Sequence, residues 1–303
     1  MAPEKRTVLI TGCSDGGLGA ALALAFHKHG DRVFATARTP SKMSSLQSLG
    51  IETLPLDVLS EESIRTCVEK VSSLTGGSLD ILVNNAGAGF NKPVLDISIA
   101  EIQRQFELNV FSVLRVIQLF FPLLRNSTTK NKMIVNNTSC GTVLTLPFVG
   151  PYSASKAALA SFSETLRLEM QAFRIRVIDL RTAGVRSKFF DNVNVEMSPT
   201  LPENSPYSPG KDIVEKFISQ GPSVGLMDAD IWAKNVVRDL SKRGGKGTPH
   251  QIWRGQGATS AWFSATAVPV GWMDGVVKKL SGLDIVERRI EKKEKMAGGH
   301  QAQ

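Results

Sequence analysis

The chain is poor in metal- and disulfide-forming residues. Cys13, Cys67 and Cys140 are its only cysteines in 303 residues. Their odd number, their scatter and the lack of CxxC spacing exclude a disulfide framework and a zinc site, and they suit a reducing compartment. The four histidines, His27, His29, His250 and His300, form no ligand-spaced motif. His27 and His29 stand two apart on a predicted helix, so they face different directions. No secretory leader is read at the N-terminus, where the apolar run after Arg6 ends at Gly12, too short for a leader's hydrophobic region. Compact blocks of one charge sign are also missing. A net charge of +8 suits solubility or attraction to phosphates, and nucleic acid is not an expected partner. In the tail, Lys278, Lys279, Arg288, Arg289, Lys292, Lys293 and Lys295 interleave with Asp284, Glu287, Glu291 and Glu294, the pattern of a solvated helix. The longest uncharged stretch, Gly255–Met273, approaches a membrane span in length. Its glycines, Pro269 and several Ser/Thr argue instead for an interfacial or core-packed segment.

What remains is an ordinary globular composition, 42% hydrophobic and 21% charged, with core enough to need no staples. Short apolar runs alternate with helical patterns along the chain. Strands are predicted at Thr7–Thr11, Arg32–Thr36, Glu52–Leu56, Leu79–Asn84, Lys132–Asn137 and Ile175–Leu180, with a last one at His250–Arg254. Helices are predicted at Leu18–His29, at Ser41–Leu49, after Ser60, at Ile102–Leu124 ending after Pro122, at Ser153–Phe173 and at Asp228–Leu240. This alternation implies βαβ units and a doubly wound, mostly parallel sheet of the Rossmann type. Asn192–Gly225 breaks the rhythm with Pro199, Pro202, Pro206, Pro209 and Pro222, and reads as a loop or lid with little regular structure. The expected organisation is a dinucleotide-binding catalytic domain over 1–255, with a substrate lid at 192–226 and a C-terminal extension over 256–303. Disorder is expected after about Lys295.

The turn TGCSDGGLG joins the first strand to the first helix. Glycines there let the backbone approach a pyrophosphate, and helix N-terminal amides attract negative charge. Gly12, Ser14, Gly17, Leu18 and Gly19 are therefore candidate cofactor contacts. After the second strand, where NAD sites usually carry an acid, the chain reads Ala37-Arg38. A guanidinium there suits a 2′-phosphate and favours NADPH. Asp15, a negative charge in the turn, opposes that preference. Asp57 after the third strand is a candidate partner for the adenine amine. Asn85 and Gly87, in Asn84-Asn85-Ala86-Gly87, are candidates to pass beneath the adenosine ribose. Both segments also read as strand-end turns.

Tyr152 and Lys156, four apart in YSASK, share one helical face. A nearby ammonium would lower the phenol's pKa and fit it for proton transfer at neutral pH. Ser139 lies at the end of the fifth strand, the side where ligands bind in such sheets, and is placed to bond a substrate oxygen. Asn109 in the long helix is a candidate to hold a water that relays protons to Lys156. Cys140 lacks a histidine partner in sequence and reads as packing.

Together these residues resemble the short-chain dehydrogenase/reductases over roughly residues 5–255. The turn carries one residue more than the common TGxxxGxG spacing, whereas NNAG, the Asn of LNV, Ser139 and YSASK match without gaps. The resemblance implies a catalytic tetrad of Asn109, Ser139, Tyr152 and Lys156, with Tyr152 and Lys156 also touching the cofactor, and an NADPH preference through Arg38. A Pro-Gly pair common after the sixth strand is replaced by Thr182-Ala183-Gly184, with Val185 and Ser187 in the positions that meet the nicotinamide amide. The turn, SFSETLRLEMQAF and WAKNVVRDL…IWRG are similar to the fungal 1-acyldihydroxyacetone-phosphate reductase group. That implies an NADPH-dependent reduction of a lipid ketone by a cytoplasmic protein, peripheral on endoplasmic reticulum or lipid droplets, and a homo-oligomer. Ketoreductases of secondary metabolism belong to the same group and remain an alternative, as does a non-catalytic dinucleotide sensor. Phe189, Phe190, Val193, Val195, Met197, Leu201 and Tyr207, with Leu144, Leu146 and Phe148, are expected to line an apolar pocket for a hydrophobic substrate. Arg186 and Lys188 are candidates to meet a substrate phosphate. Trp262, Phe263, Val268, Val270 and Trp272 read as an interfacial face or a cover over the pocket or a dimer contact.

Overall fold

The computed structural model describes residues 5–188, 200–221, 225–242 and 249–299. Its centre is one parallel sheet of seven strands: β1 (Thr7–Thr11), β2 (Arg32–Ala37), β3 (Glu52–Pro55), β4 (Ile81–Asn84), β5 (Met133–Asn137), β6 (Arg176–Thr182) and β7 (Gln251–Arg254). The order is β3-β2-β1-β4-β5-β6-β7, every neighbouring pair parallel. The order reverses between β1 and β4, where such sheets open a crevice at the carboxyl ends of their strands. Strands such as TVLIT read as near-continuous apolar runs because helices cover both faces.

On one face α1 (Leu18–His29) and α8 (Ala229–Leu240) pack, with Phe26 and Trp232 fully buried. On the other lie α3 (Glu61–Thr75), α5 (Ser112–Asn126) and α6 (Gly150–Glu169), with Val71, Phe120 and Leu159 in the core. Local capping sets several ends: Gly30 closes α1 in the left-handed region, and Ser60 caps α3 by accepting the Ser63 amide. Where a nine-residue helix was expected at Ser41–Leu49, a 3₁₀ turn (Pro40–Met43) leads into the short α2 (Ser44–Ser48). Pro40 at the entrance fits the first helical turn.

Four other expectations are corrected. The long helix expected over Ile102–Leu124 has wider bounds and is not regular throughout. It runs as α4 (Ile99–Phe106), a π turn (Glu107–Phe111) and α5 to Asn126, because burial of Leu123 and Leu124 offsets the roughly 3 kcal/mol an internal proline costs. This helix is long and apolar enough to cross a membrane, yet half of its most apolar stretch is buried inside the protein. The proline-rich segment is not structureless either. It holds α7 (Lys211–Gln220), whose Val214, Phe217 and Ile218 form one buried stripe. Leu201 and Tyr207 do not line a pocket with Leu146 and Phe148. Leu201 and Phe148 are buried in a small second core with Leu146 and Tyr207 packed against it, and Tyr207 meets the Phe148 ring edge-on at 5.7 Å. Phe189, Phe190, Val193, Val195 and Met197 lie outside the described residues. Finally, helix continues past Lys295: after α9 (Ala258–Ala267) and α10 (Asp274–Ser281), α11 (Leu283–Gly299) returns to α7 and buries Val286 completely.

Candidate active site

The glycine turn is tight for a stated steric reason. A Cβ on Gly19 would lie 2.4 Å from the Gly12 carbonyl oxygen and 2.6 Å from Asn85 Nδ2. Asn85 is the staple: Nδ2 donates to the carbonyls of Thr11 and Gly12 at 3.0 and 3.2 Å. The Ser14 carbonyl accepts the Gly17 N–H at 2.9 Å, and α1 starts at Leu18 with no side chain capping Gly17. A close-approach cradle opening onto an uncapped helix N-terminus fits a dinucleotide diphosphate. Arg38 stands exposed at the end of β2. The opposing charge of Asp15 is engaged elsewhere: its carboxylate accepts from both the Ser45 hydroxyl and amide and from the Ser44 hydroxyl, in the first turn of α2.

A polar lattice crosses the carboxyl edge of the sheet. Asn137 Nδ2 donates to Asn85 Oδ1 at 2.9 Å, and the Thr182 hydroxyl donates to Asn137 Oδ1 at 2.6 Å. Lys156 Nζ donates to the Asn137 carbonyl at 2.9 Å. Gly87 closes over this spot, since a Cβ there would lie 3.0 Å from Asn109 Oδ1 and 3.4 Å from Lys156 Nζ. Asn109 is buried in the π turn, a device common at functional sites. Its Nδ2 donates to the Ala88 carbonyl and to Ser155 Oγ, both at 3.0 Å, and Oδ1 accepts the Ala88 N–H at 3.1 Å. The carboxamide is thus a brace between the loop after β4 and α6. Ser139 and Tyr152 are hydrogen-bonded side chain to side chain.

The electrostatics also correct an expectation. Burial is the largest influence on Tyr152 and pushes its phenol up to about 12, against the opposing hydrogen bond with Ser139. The phenol is therefore a protonated donor at neutral pH rather than an acidified one. Burial moves Lys156 the other way, down to about 8, with the Asp179 carboxylate opposing. Asp179 was not foreseen. It lies buried in β6, accepts from Thr138 Oγ1 and pairs with Arg181 Nε at 2.7 Å, whose guanidinium lies over the Trp253 ring. A carboxylate inside an apolar strand was the available signal. Burial raises the Cys140 thiol to about 12, as expected of a packing residue.

The other candidates fall as follows. Asp57 Oδ1 accepts the Leu59 N–H at 3.0 Å, which is turn chemistry at the strand end. Val185 bridges to Met227, and the Arg186 N–H donates to the Met227 carbonyl at 2.9 Å, so this segment is pinned. Ser187 follows it, half-buried. Among the described residues no cluster of metal ligands exists.

Known proteins resemble this chain in sequence and in fold. The family model described as short chain dehydrogenase matches residues 6–198. A short-chain dehydrogenase/reductase of Pestalotiopsis microspora is 45% identical over 291 residues, covering 96% of this chain and 99% of that one. The NADPH-dependent 1-acyldihydroxyacetone phosphate reductase of Schizosaccharomyces pombe is 36% identical, covering 88% of this chain and 90% of its own. A short-chain dehydrogenase from Streptomyces avermitilis superposes with a TM-score of 0.72 at 28% identity, over 95% of this chain and 98% of that one. With a parallel sheet in this order, a glycine cradle at its switch point and Ser139, Tyr152, Lys156 and Asn109 gathered at one edge, the chain belongs to the short-chain dehydrogenase/reductase family of oxidoreductases.

Proposed function

We propose that this protein is an NADPH-dependent ketoreductase acting on a hydrophobic ketone, and that it runs in the alcohol-oxidising direction when the cofactor balance favours it. The observation that carries the reading is the hydrogen bond between Ser139, just after β5, and Tyr152, which shares α6 with Lys156 at the sheet edge that also holds the glycine cradle. When bound, the dinucleotide supplies the hydride. Tyr152, kept protonated by burial, donates its phenolic proton to the carbonyl oxygen. Ser139 bonds that same oxygen as charge develops on it. Lys156, held by the Asn137 carbonyl one helical turn beyond Tyr152, supplies positive charge to the site, and Asn109 ties the loop after β4 to α6.

Arg38 supports the choice of NADPH, as does the NADPH dependence named for the fission-yeast relative. An apolar substrate is supported by the rim near Tyr152. Val94, packed against Gly150 at the start of α6, stands exposed there with Leu95 and Val143. The same relative makes an acylated dihydroxyacetone phosphate the leading ketone to test. For location, we infer a cytoplasmic enzyme in peripheral contact with a membrane, a reading supported by exposed Trp262, Phe263, Val270 and Trp272.

The test is Tyr152→Phe. NADPH oxidation with any accepted ketone is expected to fall at least a hundredfold, the lower range for a lost general acid. NADPH binding, followed by calorimetry, is expected to persist. Full turnover in the variant would sink the assignment.

A further inference from the structure

The turn carries one more residue than the common spacing of the family it resembles, and Gly16 adopts φ +81° within it. What lies over Gly16 comes from far along the chain. The Lys188 N–H donates to the Gly16 carbonyl at 3.3 Å. A Cβ on Gly16 would meet Lys188 Cγ, Cδ and Cε at 3.3, 3.1 and 2.8 Å. The aliphatic stem therefore descends onto the turn and comes closest at its ammonium end. Only glycine leaves room for it.

The backbone that delivers this lysine is pinned. Gly184 exchanges hydrogen bonds with Gln256 and accepts from Met227, while Arg186 donates to Met227. The acid nearest in the turn, Asp15, directs its carboxylate to Ser44 and Ser45. Lys188 is exposed, and its Cε lies over Gly16, two residues before α1 begins at Leu18 with no side chain capping its N-terminus.

We propose that Lys188 is a diphosphate-binding residue of the dinucleotide site. The glycine turn supplies partial positive charge through its amides, and Lys188 adds a full charge held over the same turn. This rests on the dinucleotide reading above. It differs from a part for Lys188 at a substrate phosphate, and it gives Lys188 a ligand distinct from that of Arg38. Arg38 follows β2, where only a 2′-phosphate distinguishes the two cofactors. Lys188 sits at the turn, which meets a group common to both.

The experiment is calorimetric titration of NADPH and of NADH into the full chain, the Lys188→Met variant and the Arg38→Ala variant, at low and high salt. Lys188→Met is expected to weaken both dinucleotides by a similar factor, about tenfold at low salt and less at high salt. Arg38→Ala is expected to weaken NADPH alone. Gly16→Ala is expected to reproduce the Lys188→Met loss by displacing the stem, with the double variant no worse than either single one. Unchanged affinity for both dinucleotides in Lys188→Met would overturn the proposal. So would a loss confined to NADPH, or one confined to the KM of a phosphorylated ketone. Failure of the unmodified protein to bind either dinucleotide would reject the dinucleotide reading itself, before any variant is compared.

Discussion

Burial acts on the two central ionisable groups with opposite signs. Removing water disfavours an ammonium and a phenolate alike, so Lys156 drops from 10.5 to about 8 while Tyr152 rises from 10.0 to about 12. The consequence for Lys156 is a stability slope. Between about pH 8 and 10.5 the unfolded chain holds this proton and the folded chain has released it. Stability from this group therefore rises with pH across that window, and below it the buried ammonium is a standing cost. Urea unfolding at pH 7 and pH 10 is expected to show the native protein gaining on Lys156→Met as pH rises; a constant difference would mean that Lys156 is well solvated. Loss of the ammonium is also expected to reduce ketone reduction above about pH 8, read from kcat/KM. Tyr152 and Lys156 were legible as residues because their spacing is local, and Ser139 and Asn109 joined them through the motifs that resemble the family. Their charge states were not, since burial depends on what the rest of the chain stacks over them.

Among the elements, the β1–α1 turn was readable because a strand, a glycine run and a helix follow one another without interruption. Its tolerance is a matter of contact. Gly19→Ala must drive a methyl group into the Gly12 carbonyl and the Asn85 amide. The expected outcome is a loss of about 1–3 kcal/mol in unfolding free energy, typical of overpacking, together with greatly weakened dinucleotide binding. Normal melting and normal binding would show that the turn relaxes freely. The π turn at Asn109 left no trace in the sequence, because apolar periodicity continues from α4 through Leu108 and Val110 into α5. Helix α7 was missed for the opposite reason. Its stripe of Val214, Phe217 and Ile218 is short, and the prolines before and after it dominate the local pattern.

At the scale of the molecule, the C-terminal helix belongs to the structure rather than trailing from it. Val286 on α11 sits so close to Gly210 that a Cβ there would meet it at 2.7 Å. Phe148, Leu201 and Phe217 share the same small core. Val286→Ala is expected to lower unfolding free energy by about 2 kcal/mol, the cost of two buried methyl groups plus the space they leave. Chemical denaturation measures this directly, and an unchanged midpoint would show that α11 does not dock.

The sequence by itself determined the alternation of strands and helices, the glycine cradle and the Tyr152–Lys156 pair, because each depends on spacing within one element or one turn, while Ser139 and Asn109 rested on their resemblance to family motifs. Only the tertiary structure decided that Asn109 braces Ala88 and Ser155, that the Asp179 carboxylate opposes the effect of burial on Lys156, and that Lys188 rests on Gly16. These are meetings between segments tens to more than a hundred residues apart. A parallel sheet brings the carboxyl ends of such strands together whatever their separation along the chain, and short-range pattern holds no information about which side chains then touch.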